Sequence, residues 1–255
     1  MRSECFRTSG QPSLRVNLPA GEVLLETGDT AETRVELEGP HEDEALIEVR
    51  GSEVVVDVER RRLFGSGRGH RLAIHAPHGA SVDATTASAD VGGRGRFGSV
   101  KVRTASGDVS FGEIDGDADV TTASGDVRLA AVAGGATVHT ASGDAELGTV
   151  GGKAAVHSAS GDVRLGEAGG AVTVRTASGD QHIGSVAQGE VTLQSASGDL
   201  EVGIRRGSSV WVDARSMSGE TTSELDLGDA PPEDGGPHVE VRVTAMSGDI
   251  RIKRA

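Results

Sequence analysis

The sequence predicts an all-β, single-domain β-solenoid, a β-helix-like stack of two-strand rungs about eighteen residues each with irregular β caps at both ends. Three observations predict it. Ser-Gly-Asp recurs with its serine at Ser106, Ser124, Ser142, Ser160 and Ser178, every eighteen residues, and a fixed period of this size marks a stacked repeat. Each unit holds two short alternating runs, such as Val138-His139-Thr140 and Ala145-Glu146-Leu147, divided by Gly-Asp and Gly-Gly. Alternation is the strand signal and glycine the turn signal. Equivalent positions also form columns of one chemical kind, as rungs ~4.8 Å apart require.

Residues 81–207 form the regular array. Ser88 keeps the register with Ala89 in place of glycine, and the copy at Ser197 comes one residue late, after Gln188. Looser copies follow at Ser218-Gly219-Glu220 and Ser247-Gly248-Asp249. Phe111, Leu129, Leu147, Leu165, Ile183 and Val202 make one inward column; Ile114, Val132, Val150, Ala168 and Val186 make another. A third, Val109, Val127, Ala145 and Val163, is interrupted by Gln181 before Leu200. Between them lies an outward column, Ser110, Arg128, Glu146, Arg164, His182, Glu201, in which Arg and Glu alternate as exposed cross-strand pairs do.

Residues 1–80 read as an N-terminal cap of irregular strands at 14–18, 23–26, 33–37, 46–49, 54–58 and 72–75. Residues 208–255 read as a C-terminal cap with strands at 209–214, 239–245 and 250–252. A Pro/Gly/Asp loop at 228–237 lies between those strands. No linker composition separates these parts, so one continuous domain is expected.

Composition narrows the function classes. The 255 residues carry 25 Lys and Arg against 39 Asp and Glu, a net charge of −14, and only 2% aromatics. This argues against nucleic acid, which needs phosphate-binding cations and stacking rings. The single cysteine, Cys5, cannot form an internal disulfide and fits a reducing compartment. The polar opening from Met1 to Phe6 shows no secretory signal, and no apolar run reaches the ~18 residues of a membrane span. A cytoplasmic location is the expectation.

The repeated Thr-Ala-Ser-Gly-Asp-Val units, together with His75-Ala76-Pro77-His78-Gly79 ahead of the array and Met246-Ser247-Gly248-Asp249-Ile250 at its close, resemble the bacterial putative adhesin family. This is a β-strand-repeat domain without assigned function. The resemblance implies a β-solenoid over nearly the whole chain and supplies no catalytic residue.

The aspartates Asp90, Asp108, Asp126, Asp144, Asp162, Asp180 and Asp199 stack in register. Like charges at that spacing repel by about 1 kcal/mol in water and several-fold more at the protein surface, so something must offset them. The expected answer is a turn role, each carboxylate capping N–H groups in its own turn. The alternative is a row of divalent cations, Ca²⁺ by its hard oxygen ligands, on Asp108, Asp126, Asp144, Asp162 and Asp180. Calcium β-rolls carry Gly-Gly-x-Gly-x-Asp in each half-coil, whereas here only one half-unit carries the acid.

Asp115-Gly116-Asp117-Ala118-Asp119 resembles the start of an EF-hand loop, but Val120 stands where the turn glycine belongs, so an acidic inter-rung turn is expected. His139 and His157 stack one rung apart and read as surface residues rather than a two-ligand metal site. Arg60-Arg61-Arg62-Leu63-Phe64, with Arg68 and Arg71, reads as a solvated basic loop, the alternative being contact with an anionic partner or membrane face. A serine repeated in every rung is a structural position, and neither G-x-S-x-G nor a P-loop occurs.

The expected function is therefore a non-enzymatic structural or interaction scaffold with no cofactor and a protein partner of unknown identity. End-to-end self-association through edge strands is the further expectation. An envelope adhesin or glycan binder, a calcium-binding β-roll-like module and a polysaccharide-active β-helix enzyme are the alternatives.

Overall fold

A computed structural model of the chain describes residues 1–8, 10–58, 69–225 and 237–255. The basic run at 60–68 and residues 228–236 of the expected loop lie outside them. The described residues are all-β apart from one 3-10 turn, Glu42–Glu44, and build the β-solenoid the repeat predicts. They fall into two compact units, Met1–Leu129 and Ala130–Ala255.

The first unit holds β1 (Arg2–Arg7), β2 (Ser13–Gly28), β3 (Glu32–Glu38), β4 (Leu46–Arg50), β5 (Glu53–Asp57), β6 (His70–Pro77), β7 (Ser81–Phe97), β8 (Val100–Arg103), β9 (Val109–Ile114) and β10 (Ala118–Thr121), with β11 (Val127–Val132) running across the division. Its frame is two long strands. β2 and β7 each cover both faces of a rung and pair in parallel from Ser13↔Ser81 to Glu26↔Arg94. The two stretches expected at 14–18 and 23–26 are therefore one strand. β8 and β9 then take over the two halves of β7, at Val82↔Val100 and Val91↔Val109, and β10 continues from β8.

On its other edge β2 pairs in parallel with β5 at Ser13↔Glu53 and with β6 at Gly21↔His70. The pairing there turns antiparallel: β4 closes on β5, β3 on β6 and β1 on β3. Parallel rungs end in a row of unpaired backbone groups, and a reversed strand reached by a short turn covers them. The outermost described strand on this side, β1, carries Arg2, which pairs with Glu4 on the same strand, and Arg7, which pairs with Glu32 on β3. This strand escapes sequence reading because it shows no apolar alternation: its two apolar residues, Cys5 and Phe6, are adjacent and so lie on opposite sides of the pleat.

The second unit holds β12 (Ala136–Ser142), β13 (Ala145–Val150), β14 (Ala154–Ser160), β15 (Val163–Ala168), β16 (Val172–Ser178), β17 (Gln181–Val186), β18 (Gly189–Ser197), β19 (Leu200–Ile204), β20 (Ser209–Ser216), β21 (Thr221–Ser223), β22 (His238–Ser247) and β23 (Ile250–Arg254). Its parallel registers follow the repeat: Ala136↔Ala154↔Val172↔Val191 on one face, Leu147↔Leu165↔Ile183↔Val202 on the other. These columns are buried, each rung contributing Val or Leu side chains worth about 1.5–3 kcal/mol apiece on full burial.

Stack order departs from chain order at the end of this unit. β22 and β23 lie between the rung of β18 and β19 and the rung of β20 and β21. The chain thus lays down its outermost rung first and then returns to fill the gap, where the Ala255 N–H reaches the Ile204 carbonyl at 2.9 Å.

Gln181, the polar break in an apolar column, stays inside. Its Nε2 donates to Thr176 Oγ1 at 2.8 Å and to the Gln194 carbonyl at 2.9 Å, which satisfies the amide nitrogen without displacing the strand.

Candidate functional site: the Ser-Gly-Asp corner

Each rung turns at its Thr-Ala-Ser-Gly-Asp segment. Glycine is required there by close approach. A Cβ on Gly125 would lie 1.9 Å from the Gly107 carbonyl oxygen, and one on Gly161 would lie 2.3 Å from that of Gly143, where φ is also +126°. The buried threonine behind the turn has two settings. In the first unit, Thr104 and Thr122 Oγ1 each accept the N–H of their own turn's glycine at 3.0 Å. In the second unit, the Gly143, Gly161 and Gly179 N–H groups instead donate to the serine carbonyl of the next rung, at 3.0–3.2 Å. Thr140 Oγ1 is thereby left buried without a partner, whereas Thr176 takes up the Gln181 amide.

The aspartates form a ladder between rungs. Within each unit, Oδ1 accepts the backbone N–H of the acidic residue one rung on: Asp90 from Asp108 and Asp108 from Asp126, both at 2.9 Å, in the first unit. In the second unit Asp144 accepts from Asp162 (2.8 Å), Asp162 from Asp180 (3.0 Å), Asp180 from Asp199 (2.8 Å), Asp199 from Asp249 (2.8 Å) and Asp249 from Glu220 (2.8 Å). The acceptor therefore serves the neighbouring turn, not its own as the sequence suggested. The reason is geometric: with Gly holding two turns in van der Waals contact, the nearest N–H without a strand partner belongs to the next coil. The other oxygens of Asp126 and Asp162 face Arg128 and Arg164 at 3.0 and 3.1 Å. At Asp162 the backbone N–H of Asp180 on one oxygen and Arg164 on the other together offset the repulsion from neighbouring carboxylates.

The remaining candidates fall where their strands take them. Asp115 and Asp119 flank the turn between β9 and β10 and face Arg96 (3.4 Å) and Lys101 (3.7 Å); strands adjoin the turn, not EF-hand helices. His139 and His157 stack with ring centroids 5.0 Å apart and planes 6° from parallel. Burial first, then the charges of His139, Arg175 and Lys153, holds the His157 imidazole below its ordinary value. Arg71, the one described residue of the basic group, lies 3.5 Å from Glu22.

One cluster escaped the sequence. The antiparallel cap gathers Cys5, Glu26, Asp29, Glu32, Arg34 and His75 around a depression of about 300 Å³. Cys5 Sγ donates to Glu32 Oε2 at 3.2 Å, and His75 Nδ1 lies 3.2 Å from Glu26 Oε2. These residues come from four strands, β1, β2, β3 and β6, and the turn between β2 and β3, up to seventy positions apart, so no spacing announces them. The hydrogen bond to Glu32, then burial, pushes the Cys5 thiol up, the opposite of an activated nucleophile. Among the described residues no three His, Cys, Asp or Glu side chains are grouped to hold a metal ion, and no helix is long and apolar enough to cross a membrane.

Known proteins share this fold at low identity. A putative adhesin from Bacteroides fragilis matches over 98% of this chain and 96% of its own, with 10% identity and a TM-score of 0.50. A putative adhesin from Parabacteroides merdae matches over 98% and 95%, with the same identity and score. A putative lipid binding protein from Parabacteroides distasonis aligns over 98% and 96% at 12% identity, with a TM-score of 0.43. No curated protein matches in sequence. The family model described as Toastrack DUF4097, a domain of unknown function, matches residues 11–253, and the chain belongs to that family.

Proposed function

We propose that the chain is a non-enzymatic β-solenoid whose outward ladder faces serve as an interaction surface for a protein partner. The observation that carries this reading is the corner itself. The polar groups most repeated in the sequence, the serine, glycine and aspartate of each turn, are engaged rung to rung in backbone hydrogen bonds. They hold the stack together, and the outward residues between them are left to vary. Quantitative affinity capture tests it: a partner retained by the wild type should be lost by a variant carrying Glu146→Arg and Glu167→Arg, with thermal unfolding showing that the variant remains folded. Turnover of any substrate that depends on a single side chain overturns it.

The aspartate column acts, on this reading, as inter-rung caps rather than as a cation row. The melting midpoint is then the same in EDTA and in millimolar calcium. A calcium-dependent rise that disappears when Asp126, Asp144 and Asp162 become Asn overturns it, since a ligand of the folded state stabilises by mass action. An unpaired, exposed Cys5 fits the reducing cytoplasm. A second reading, adhesion at the cell envelope, follows the names of the Bacteroides fragilis and Parabacteroides merdae proteins. Recovery of the chain from the envelope fraction of its own cells favours it over the first.

A further inference from the structure

Among the described residues, the outermost rung of the second unit has an open side. Among the described residues β20 pairs with β22 alone, in parallel from Ser209↔His238 to Ser216↔Ala245. That register aligns Val210, Val212 and Ala214 with Val239, Val241 and Val243, so they face inward, yet they are only half-buried where the β22 valines are fully buried. The opposite pleat carries Trp211, Asp213 and Arg215. Trp211 is 48% exposed with the Arg242 guanidinium 5.9 Å over its ring, and Met217, just past the strand, is 83% exposed. A sheet edge with bare backbone groups and half-covered apolar residues is a template for another strand.

We propose that this edge pairs with the same edge of a second copy, antiparallel, about a two-fold axis through Ala214. The charges select both the partner and the register. In an isologous antiparallel pair, residues opposite each other share a face and sum to a constant position number. A two-fold at Asp213 sets that carboxylate against its own copy, and one at Arg215 sets the guanidinium against its own copy. A two-fold at Ala214 sets Asp213 opposite the partner's Arg215 and Arg215 opposite the partner's Asp213. Along their own strand the two side chains already pair, Nε to Oδ1 at 2.9 Å and Nη2 to Oδ2 at 3.0 Å. The two copies therefore bring together a closed group of two acids and two guanidinium ions. The same register lays Trp211 against the partner's Met217, a favourable ring–thioether contact, and covers the half-buried Val210 and Val212. This interface does not rest on the scaffold reading, and an enzyme built on this rung would form it equally.

Sedimentation velocity on the full chain over a wide dilution series tests it. The wild type should pass from monomer to dimer and stop there, because a two-fold closes. Asp213→Arg alone and Arg215→Asp alone each place like charges opposite one another twice and should weaken the dimer at least about tenfold. An equimolar mixture of the two variants restores opposite charges at both positions and should form a heterodimer that neither forms alone. Thermal unfolding of each variant separates a lost interface from a lost fold. A wild type that stays monomeric at every concentration overturns the proposal. So does a dimer indifferent to both substitutions, growth into longer assemblies, or a mixture that fails to associate while both variants remain folded.

Discussion

Gly125 shows how much a single atom decides here. A methyl group on it meets a backbone carbonyl at 1.9 Å, and no rotamer can relieve a contact between two main chains. Gly125→Ala should therefore destabilise by about 1–3 kcal/mol, lowering the melting midpoint by several degrees. Gly28→Ala, where an added Cβ meets nothing within 4 Å, should stay within about 0.5 kcal/mol of wild type. Equal effects at the two sites would mean that the corner does not hold its neighbour so closely. Asp162 offers a finer comparison. Asp162→Ala removes the acceptor for the Asp180 N–H and should cost about 0.5–1.5 kcal/mol. Asp162→Asn keeps an oxygen at the same place and should retain most of the stability, as differential scanning calorimetry would show. The need for glycine and a short acid in this turn was legible in the repeat. The direction of the acid's hydrogen bond was not, since an Asx turn and an inter-rung cap use the same residue at the same place.

Along the elements, the side chains of one strand are neighbours of those eighteen residues away, and charge is felt in columns. His157 on β14 sits between His139 and Arg175, and its imidazole is held below the ordinary value of about 6.5. As pH falls below that value the unfolded chain binds the proton before the folded one does. Folding then loses stability with falling pH, while above it the group contributes nothing. His157→Gln should flatten the fall of the melting midpoint between about pH 7 and 5 relative to wild type. An unchanged slope would show that the stack with His139 carries no such penalty. On the other face His182 meets Glu201, which also faces Lys253 from the inserted rung. The alternation of Arg, Glu and His along this column could be read from the period alone. That Arg251 continues it, and that Lys253 reaches Glu201 from the position opposite Gly203, could not, because fifty and fifty-two positions separate these residues from Glu201 and no multiple of eighteen connects them.

At the scale of the molecule, the regular rungs and the flanks obey different rules. Within the array, each strand's neighbour in space is the next unit of the repeat, so the period specifies both register and face. This is why the fold class, the inward columns and the alternating outward column are all visible in the chain before any coordinates. The flanks carry no such period. In the first unit β2 lies between β5 and β7, and the cap reverses direction. In the second, β22 slips in beneath a rung made earlier in the chain. Alternation predicted that these segments are strands, and their patterns show which residues point inward. Which edge each strand occupies was left to the tertiary structure. The physical reason is that pattern resides in side chains, while an edge is chosen by backbone N–H and C=O groups that are the same in every residue. Only where side chains repeat does one edge differ from another in the sequence. Elsewhere the choice is made by which arrangement leaves the fewest of those groups unpaired.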